Sequence, residues 1–181
     1  ASNNVAVGKD ALLANTTGTE NTSVGGSSLD ANTTGNYNAA IGRSALGSNT
    51  TGSNNTGLGN NALASNTTAD YNTAVGGNAL LLNTTGTDNV AIGRNCLDGN
   101  TTASYNTAVG SSAIGDNSTG ASLTAVGYLA LKSNTTANNN TAVGRSALQE
   151  NTTGDNNVAV GGYSLDANTT GIRNVAIGLD A

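Results

Sequence analysis

The 181-residue chain contains no proline, phenylalanine, tryptophan, methionine or histidine, and it has only one cysteine and five tyrosines. Charged residues make up 9% of the sequence. The chain therefore lacks the bulky side chains that fill the core of an ordinary mixed α/β domain. Long helices are also disfavoured, because glycine and Asn-Thr-Thr interrupt the apolar positions every 17 residues.

The missing residue types exclude most active-site chemistry. With no histidine and only Cys96, the sequence offers no nucleophile and base pair, no triad and no zinc ligand set. Cys96 replaces an alanine found in most repeats, which indicates a small buried residue. The aspartates lack the dense Asp/Gly pattern of calcium-binding rolls. We predict a protein that is not an enzyme and that binds no cofactor or metal.

Charge and hydropathy limit the partners. The net charge is −5, and the six lysines and arginines form no basic track for nucleic acid. No apolar run approaches membrane-spanning length, so membrane insertion is not expected. Sparse charge and freedom from disulfides suit an extracellular or cell-surface fibre, or a fibre on a virion.

One repeated unit accounts for the whole chain. Eleven glycines follow one another at intervals of 17 residues: Gly8, Gly25, Gly42, Gly59, Gly76, Gly93, Gly110, Gly127, Gly144, Gly161 and Gly178. A repeat this short cannot bury a core alone, so its copies must stack as the coils of a solenoid.

The unit reads N-x-A-V-G-x-x-A-L-x-x-N-T-T-G-x-x, and its fixed phase argues against disorder. The x-A-V segment predicts a short strand and the A-L segment a second one. Alternation predicts the Val and the Leu inside the roll and the Ala outside. The glycine after Val forms one corner and Asn-Thr-Thr-Gly the other, with Asn and Gly tolerating positive φ. The sequence therefore predicts an all-β parallel β-solenoid of about eleven coils.

Asparagines recur at two positions of the unit. One file stands four residues before the glycines and is interrupted only at Leu123. We interpret both files as structural ladders, in which stacked amides bond to the coils above and below. The alternative is glycosylation, since every Asn-Thr-Thr triplet is an acceptor sequence. The second file, the corner asparagines, comprises Asn15, Asn32, Asn49, Asn66, Asn83, Asn100, Asn117, Asn134, Asn151 and Asn168.

The alanine expected on the outside of each strand would let another surface approach closely, which favours an oligomer. The alternative is that alanine merely fits a tight sheet. Residues 1–181 are expected to form a single uncapped repeat domain, either a segment of a longer fibre or a unit that stacks end to end into a filament.

At this point the units from Asn72-Thr73-Ala74-Val75-Gly76 to Asn83-Thr84-Thr85-Gly86, and their copies along the chain, carry a resemblance. They resemble the head repeats of trimeric autotransporter adhesins and the repeats of phage tail-fibre and bacterial surface-fibre proteins. The resemblance implies a left-handed parallel β-roll, with three rolls packed around a common axis as an adhesive or spacer fibre. It also implies that the Val or Ile before each glycine packs inside the roll.

A second periodicity concerns recognition. Tyr37, Tyr71 and Tyr105 occupy the same position in alternate units, 34 residues apart. They are candidate surface contacts, for stacking on sugar rings or on a neighbouring fibre, and otherwise relics of a duplication with solvated rings.

Three functions follow from the sequence. The first is a structural and adhesive fibre segment, a homotrimer whose partners include a host-surface glycan or protein. The second is a subunit of an end-to-end filament. The third is ice binding by stacked threonines, although adjacent residues such as Thr16 and Thr17 would point to opposite faces of a strand.

Overall fold

The computed structural model describes residues 1–181 as one stack of coils, with one three-residue strand in each unit and turns elsewhere. The strands are β1 (Val5–Val7), β2 (Thr22–Val24), β3 (Ala39–Ile41), β4 (Thr56–Leu58), β5 (Thr73–Val75), β6 (Val90–Ile92), β7 (Thr107–Val109), β8 (Thr124–Val126), β9 (Thr141–Val143), β10 (Val158–Val160) and β11 (Val175–Ile177).

All eleven strands form a single parallel sheet in chain order. Each strand pairs with the next one at an offset of one repeat, so that Thr73 lies opposite Val90 and Val75 opposite Ile92. Identical positions of successive units are therefore neighbours along the stack. This arrangement confirms the parallel solenoid of 17-residue coils.

The second strand predicted in each unit is absent. The leucine of the A-L segment has a positive φ, 52° at Leu46, and so does the residue two before it, 54° at Ser44. Left-handed residues at alternate positions fold the segment into tight turns, such as the one closed by the Ala45 N–H on the Gly42 carbonyl. The segment still bonds from coil to coil, for example from Leu46 N to Ala62 O at 3.0 Å.

The predicted inside and outside of the strand are reversed. The middle residue points into the roll, where Ala40 and Ala108 are fully buried, whereas Ile41 is 42% exposed. The expectations that Val or Ile packs inside and that Ala lies on an outer face are therefore both wrong. The alternation itself is as predicted, since neighbouring residues of each strand point to opposite sides.

The narrowness of the roll explains this reversal. The one glycine at the middle position, Gly57, shows the space that is available: a Cβ there would lie 3.1 Å from the Ala62 carbonyl oxygen and 3.5 Å from Leu46 Cγ. The interior opposite the strand is filled one methyl group deep. A Val or Ile side chain would not fit there without separating the two walls.

The core consists of stacked leucines and small residues. The leucine of each A-L segment is fully buried in the interior coils, and Ile114 takes its place once. Alanines from the strand and from the A-L segment fill the remaining space. In the second coil Ser23 and Ser28 replace both alanines, and their hydroxyls bond to each other at 2.5 Å.

The eleven periodic glycines adopt a conformation that other residues avoid. Their φ angles lie between 130° and 142°. A Cβ on Gly76 would also lie 2.5 Å from the carbonyl oxygen of Gly93 in the next coil. Both backbone conformation and coil spacing therefore require glycine at this corner.

The other corner is held by side chains. Contrary to expectation, neither the corner asparagines nor the glycines of Asn-Thr-Thr-Gly have positive φ. Instead, Asn49 Nδ2 donates to Asn32 Oδ1 of the preceding coil at 2.9 Å and to the Gly52 carbonyl at 2.9 Å. The same carbonyl accepts a third proton from Asn38 Nδ2 at 2.8 Å. One carbonyl per coil thus joins the two asparagine files.

The file before the strands also serves the backbone. Asn55 N–H donates to Asn38 Oδ1 at 3.0 Å, and this bond recurs from coil to coil. Leu123 interrupts it, because a leucine has no oxygen to accept the N–H of the next residue in the file, Asn140. That buried N–H has no partner in the structure.

We predict opposite outcomes for two neighbouring glycines. Gly76→Ala should destabilise the fold by about 3 kcal/mol or more, through the positive φ and the contact with the next coil. Gly77→Ala is the matched control, because a Cβ there meets nothing within 4 Å, and it should stay within about 0.5 kcal/mol of the original. Denaturant unfolding measures both, and equal effects would contradict the corner geometry.

We also predict that Leu123→Asn stabilises the chain by about 1 kcal/mol, because it supplies the acceptor that Asn140 lacks. The reciprocal change, Asn72→Leu, leaves the N–H of Asn89 without its acceptor and should cost about 2 kcal/mol. Thermal and denaturant unfolding test the pair. A loss of stability in Leu123→Asn would show that the apolar contact outweighs the ladder.

Candidate interaction surface

The outward-facing side chains of the sheet form a continuous apolar surface. We define the outer strand face as the first and third residues of β2–β10. The first residues are threonine, valine or alanine, and no charged residue occurs at either position. The third residues are all aliphatic: Val24, Ile41, Leu58, Val75, Ile92, Val109, Val126, Val143 and Val160.

The outer strand face is exposed along its whole length. Side chains of its third file remain open to solvent even in interior coils, from 36% at Val160 to 42% at Ile41. Nine parallel strands at the usual sheet spacing make a stripe roughly 40 Å long. Contiguous apolar stripes of this size mark contact surfaces in soluble proteins, whereas single exposed aliphatic residues do not.

The corner asparagines lie inside the roll. Those of the interior coils are fully buried, and both amide protons are taken up by the neighbouring amide and the corner carbonyl. The glycosylation alternative would require these same amides to be accessible, and the folded coil does not present them. The eleven periodic glycines likewise shape a corner and offer no side chain to a ligand.

The two threonines of each triplet have different surroundings. The first donates its hydroxyl to the main chain of the next coil, as Thr50 Oγ1 does to the Thr67 carbonyl at 3.0 Å. The second, such as Thr51, is exposed. Only one of the two threonine files therefore faces solvent, so the corner does not offer paired threonine files to ice.

The structure places the three candidate tyrosines together on one exposed edge, at the corner two residues before each strand. Tyr37, Tyr71 and Tyr105 are 56%, 60% and 66% exposed. Their backbones are left-handed, with φ between 58° and 64°. Because the coils are in register, these rings stand above one another in every second coil.

The other two tyrosines lie near the glycine corner. Tyr128 and Tyr163 flank Arg145, whose guanidinium carbon is 6.0 Å and 5.3 Å from the two ring centres. This corner also carries the exposed Lys9, Arg43 and Arg94. A surface ion pair joins Lys132 to Asp116 at 2.9 Å in a neighbouring turn.

Groups that could carry out chemistry are scattered. Cys96 is fully buried at an alanine position, as predicted, and its Sγ donates to the Ala108 carbonyl at 3.3 Å. Burial raises the pKa of the Cys96 thiol to about 12. Nowhere in the chain do three potential metal-binding side chains come together. No part of the chain folds into a helix of the length and apolarity needed to cross a membrane.

We predict that the Cys96 thiol is inert in the folded protein. At pH 8 it is protonated and shielded, so a thiol reagent should label it at least about a hundredfold more slowly than in the unfolded chain. Thr102→Cys in a Cys96→Ala background supplies an exposed control thiol that should react readily. Rapid labelling of native Cys96 would contradict its placement in the core.

Searches against protein-family models, curated proteins and solved structures find no match to this chain.

Proposed function

We propose that the chain is a non-enzymatic structural and adhesive segment of an extracellular or surface fibre, of the adhesin-head or tail-fibre type. In this proposal three left-handed rolls pack side by side into a rigid homotrimeric rod. The observation that carries the proposal is the outer strand face, an uncharged apolar stripe that runs along nine successive strands.

The geometry of the stripe favours association side by side. A flat aliphatic file loses unfavourable contact with water when a similar file covers it, and this gain accumulates with every coil. Copies with equal 17-residue rises keep their strands level along the whole contact. A cyclic trimer places each stripe against its two neighbours and closes the assembly, so no stripe remains free to recruit more chains.

The rest of the surface supports a passive role. The single thiol is buried and protonated, and the acidic and basic side chains are dispersed over several corners. Polar corners and exposed threonines would keep the outside of the assembled rod soluble. The corners then remain available for contacts with other molecules, which is what an adhesive rod requires.

We predict a solution mass near three times the 17.6 kDa of one chain, measured by light scattering during size-exclusion chromatography. Val126→Glu should convert the trimer to single folded chains, because three carboxylates would meet on the axis without partners. Thr136→Glu, in the same coil but at an exposed corner, is the matched control and should leave the mass unchanged.

Three results would contradict this proposal. A folded single chain at every concentration would show that the outer strand face needs no cover. A mass that grows without limit would favour the filament. Equal effects of the two glutamate variants would place the contact elsewhere.

A further inference from the structure

We infer that the file of positions containing Tyr37, Tyr71 and Tyr105 is a binding edge for an extended, neutral, β-1,4-linked polysaccharide. The three rings stand at the same position of alternate coils and are more than half exposed. Tyrosine presents a flat apolar face together with a hydroxyl, which suits stacking against a sugar ring. The inference deepens the adhesive part of the proposed function and does not depend on the trimer.

The cost of these tyrosines argues that they serve a purpose. Their φ angles of about 60° favour glycine, asparagine and aspartate, and a bulky residue is uncommon there. The same file contains asparagine at Asn54, Asn139 and Asn156 with similar φ angles. Folding therefore does not require tyrosine at this position, yet the chain places it there three times in succession at every second coil.

The residues between the rings complete a regular pattern. From Tyr37 to Tyr105 the file reads tyrosine, Asn54, tyrosine, Asp88, tyrosine, one residue per coil. The side chains of Asn54 and Asp88 are exposed, and neither makes a hydrogen bond or ion pair within the protein. They can accept hydrogen bonds from sugar hydroxyls, between the stacking platforms.

The spacing of the rings selects the kind of glycan. Two coils at the usual separation of parallel strands place successive rings roughly 9.5 Å apart. A β-1,4-linked chain is an extended ribbon that advances by about this distance for every two sugars, so every second sugar meets a ring. An α-1,4-linked chain curls away from a straight edge. The carboxylate of Asp88 and the net charge of −5 disfavour polyanionic glycans.

The test uses the full chain with cellohexaose and maltohexaose as probes, in calorimetric titration and ligand-observed NMR. Cellohexaose should bind and maltohexaose should not. Tyr71→Asn, which introduces the residue already present at Asn54, should fold normally and weaken cellohexaose binding about fivefold to tenfold. The triple change of Tyr37, Tyr71 and Tyr105 to asparagine should abolish it. Tyr128→Asn, at the other corner and 50% exposed, is the matched control and should bind as the original does.

Several outcomes would overturn the inference. These are no binding of cellohexaose at millimolar concentration, equal binding of both probes, or unchanged binding by the triple variant. A lower solution mass for the triple variant, with no change in glycan binding, would assign the rings to contacts between copies. Mass and binding are separate measurements, so a single chain that binds cellohexaose rejects only the trimer, and a trimer that does not bind rejects only this inference.

Discussion

The width of the roll is the constraint on which the rest of the structure depends. The space between the strand and the opposite wall accepts one methyl group, as the contacts around Gly57 demonstrate. Only alanine, serine or glycine can occupy the middle of a strand. The larger aliphatic residues on either side of it must then point outward, although Val, Ile and Leu are usually buried. The apolar stripe is therefore a direct consequence of a thin core.

A thin core also has to satisfy its backbone by other means. Of 118 backbone hydrogen bonds, only 20 lie within the strands, and most of the others join the turns of one coil to those of the next. The asparagine amides provide the bonds that backbone geometry cannot, because one carbonyl per corner receives protons from both files. No buried side-chain nitrogen or oxygen is left without a partner. Cohesion along the rod is thus mainly polar, and the apolar surface remains available for other chains.

The 17-residue glycine spacing was sufficient to predict the parallel solenoid and the coil boundaries, because a fixed period means a fixed environment. The direction of each strand residue was predicted wrongly, since Val and Leu were assigned to the core by hydrophobicity alone. The sequence does contain the correcting signal: the middle position admits only Ala, Ser23 and Gly57, whereas the next one admits Val, Ile and Leu58. The second strand failed because left-handed leucines such as Leu46 are unusual, and no local preference announces them. The tyrosine spacing was visible in the sequence, but the exposure of the rings required the fold.

Photo-crosslinking at neighbouring positions tests most directly whether the outer strand face is covered by another copy of the chain. A benzophenone side chain replacing Val109, on that face, should give a covalent product between chains on irradiation. The same group replacing Thr102, at an exposed corner, should give almost none. Equal products from both positions, or a product from Thr102 alone, would contradict the account, because the apolar stripe would then have no role in assembly.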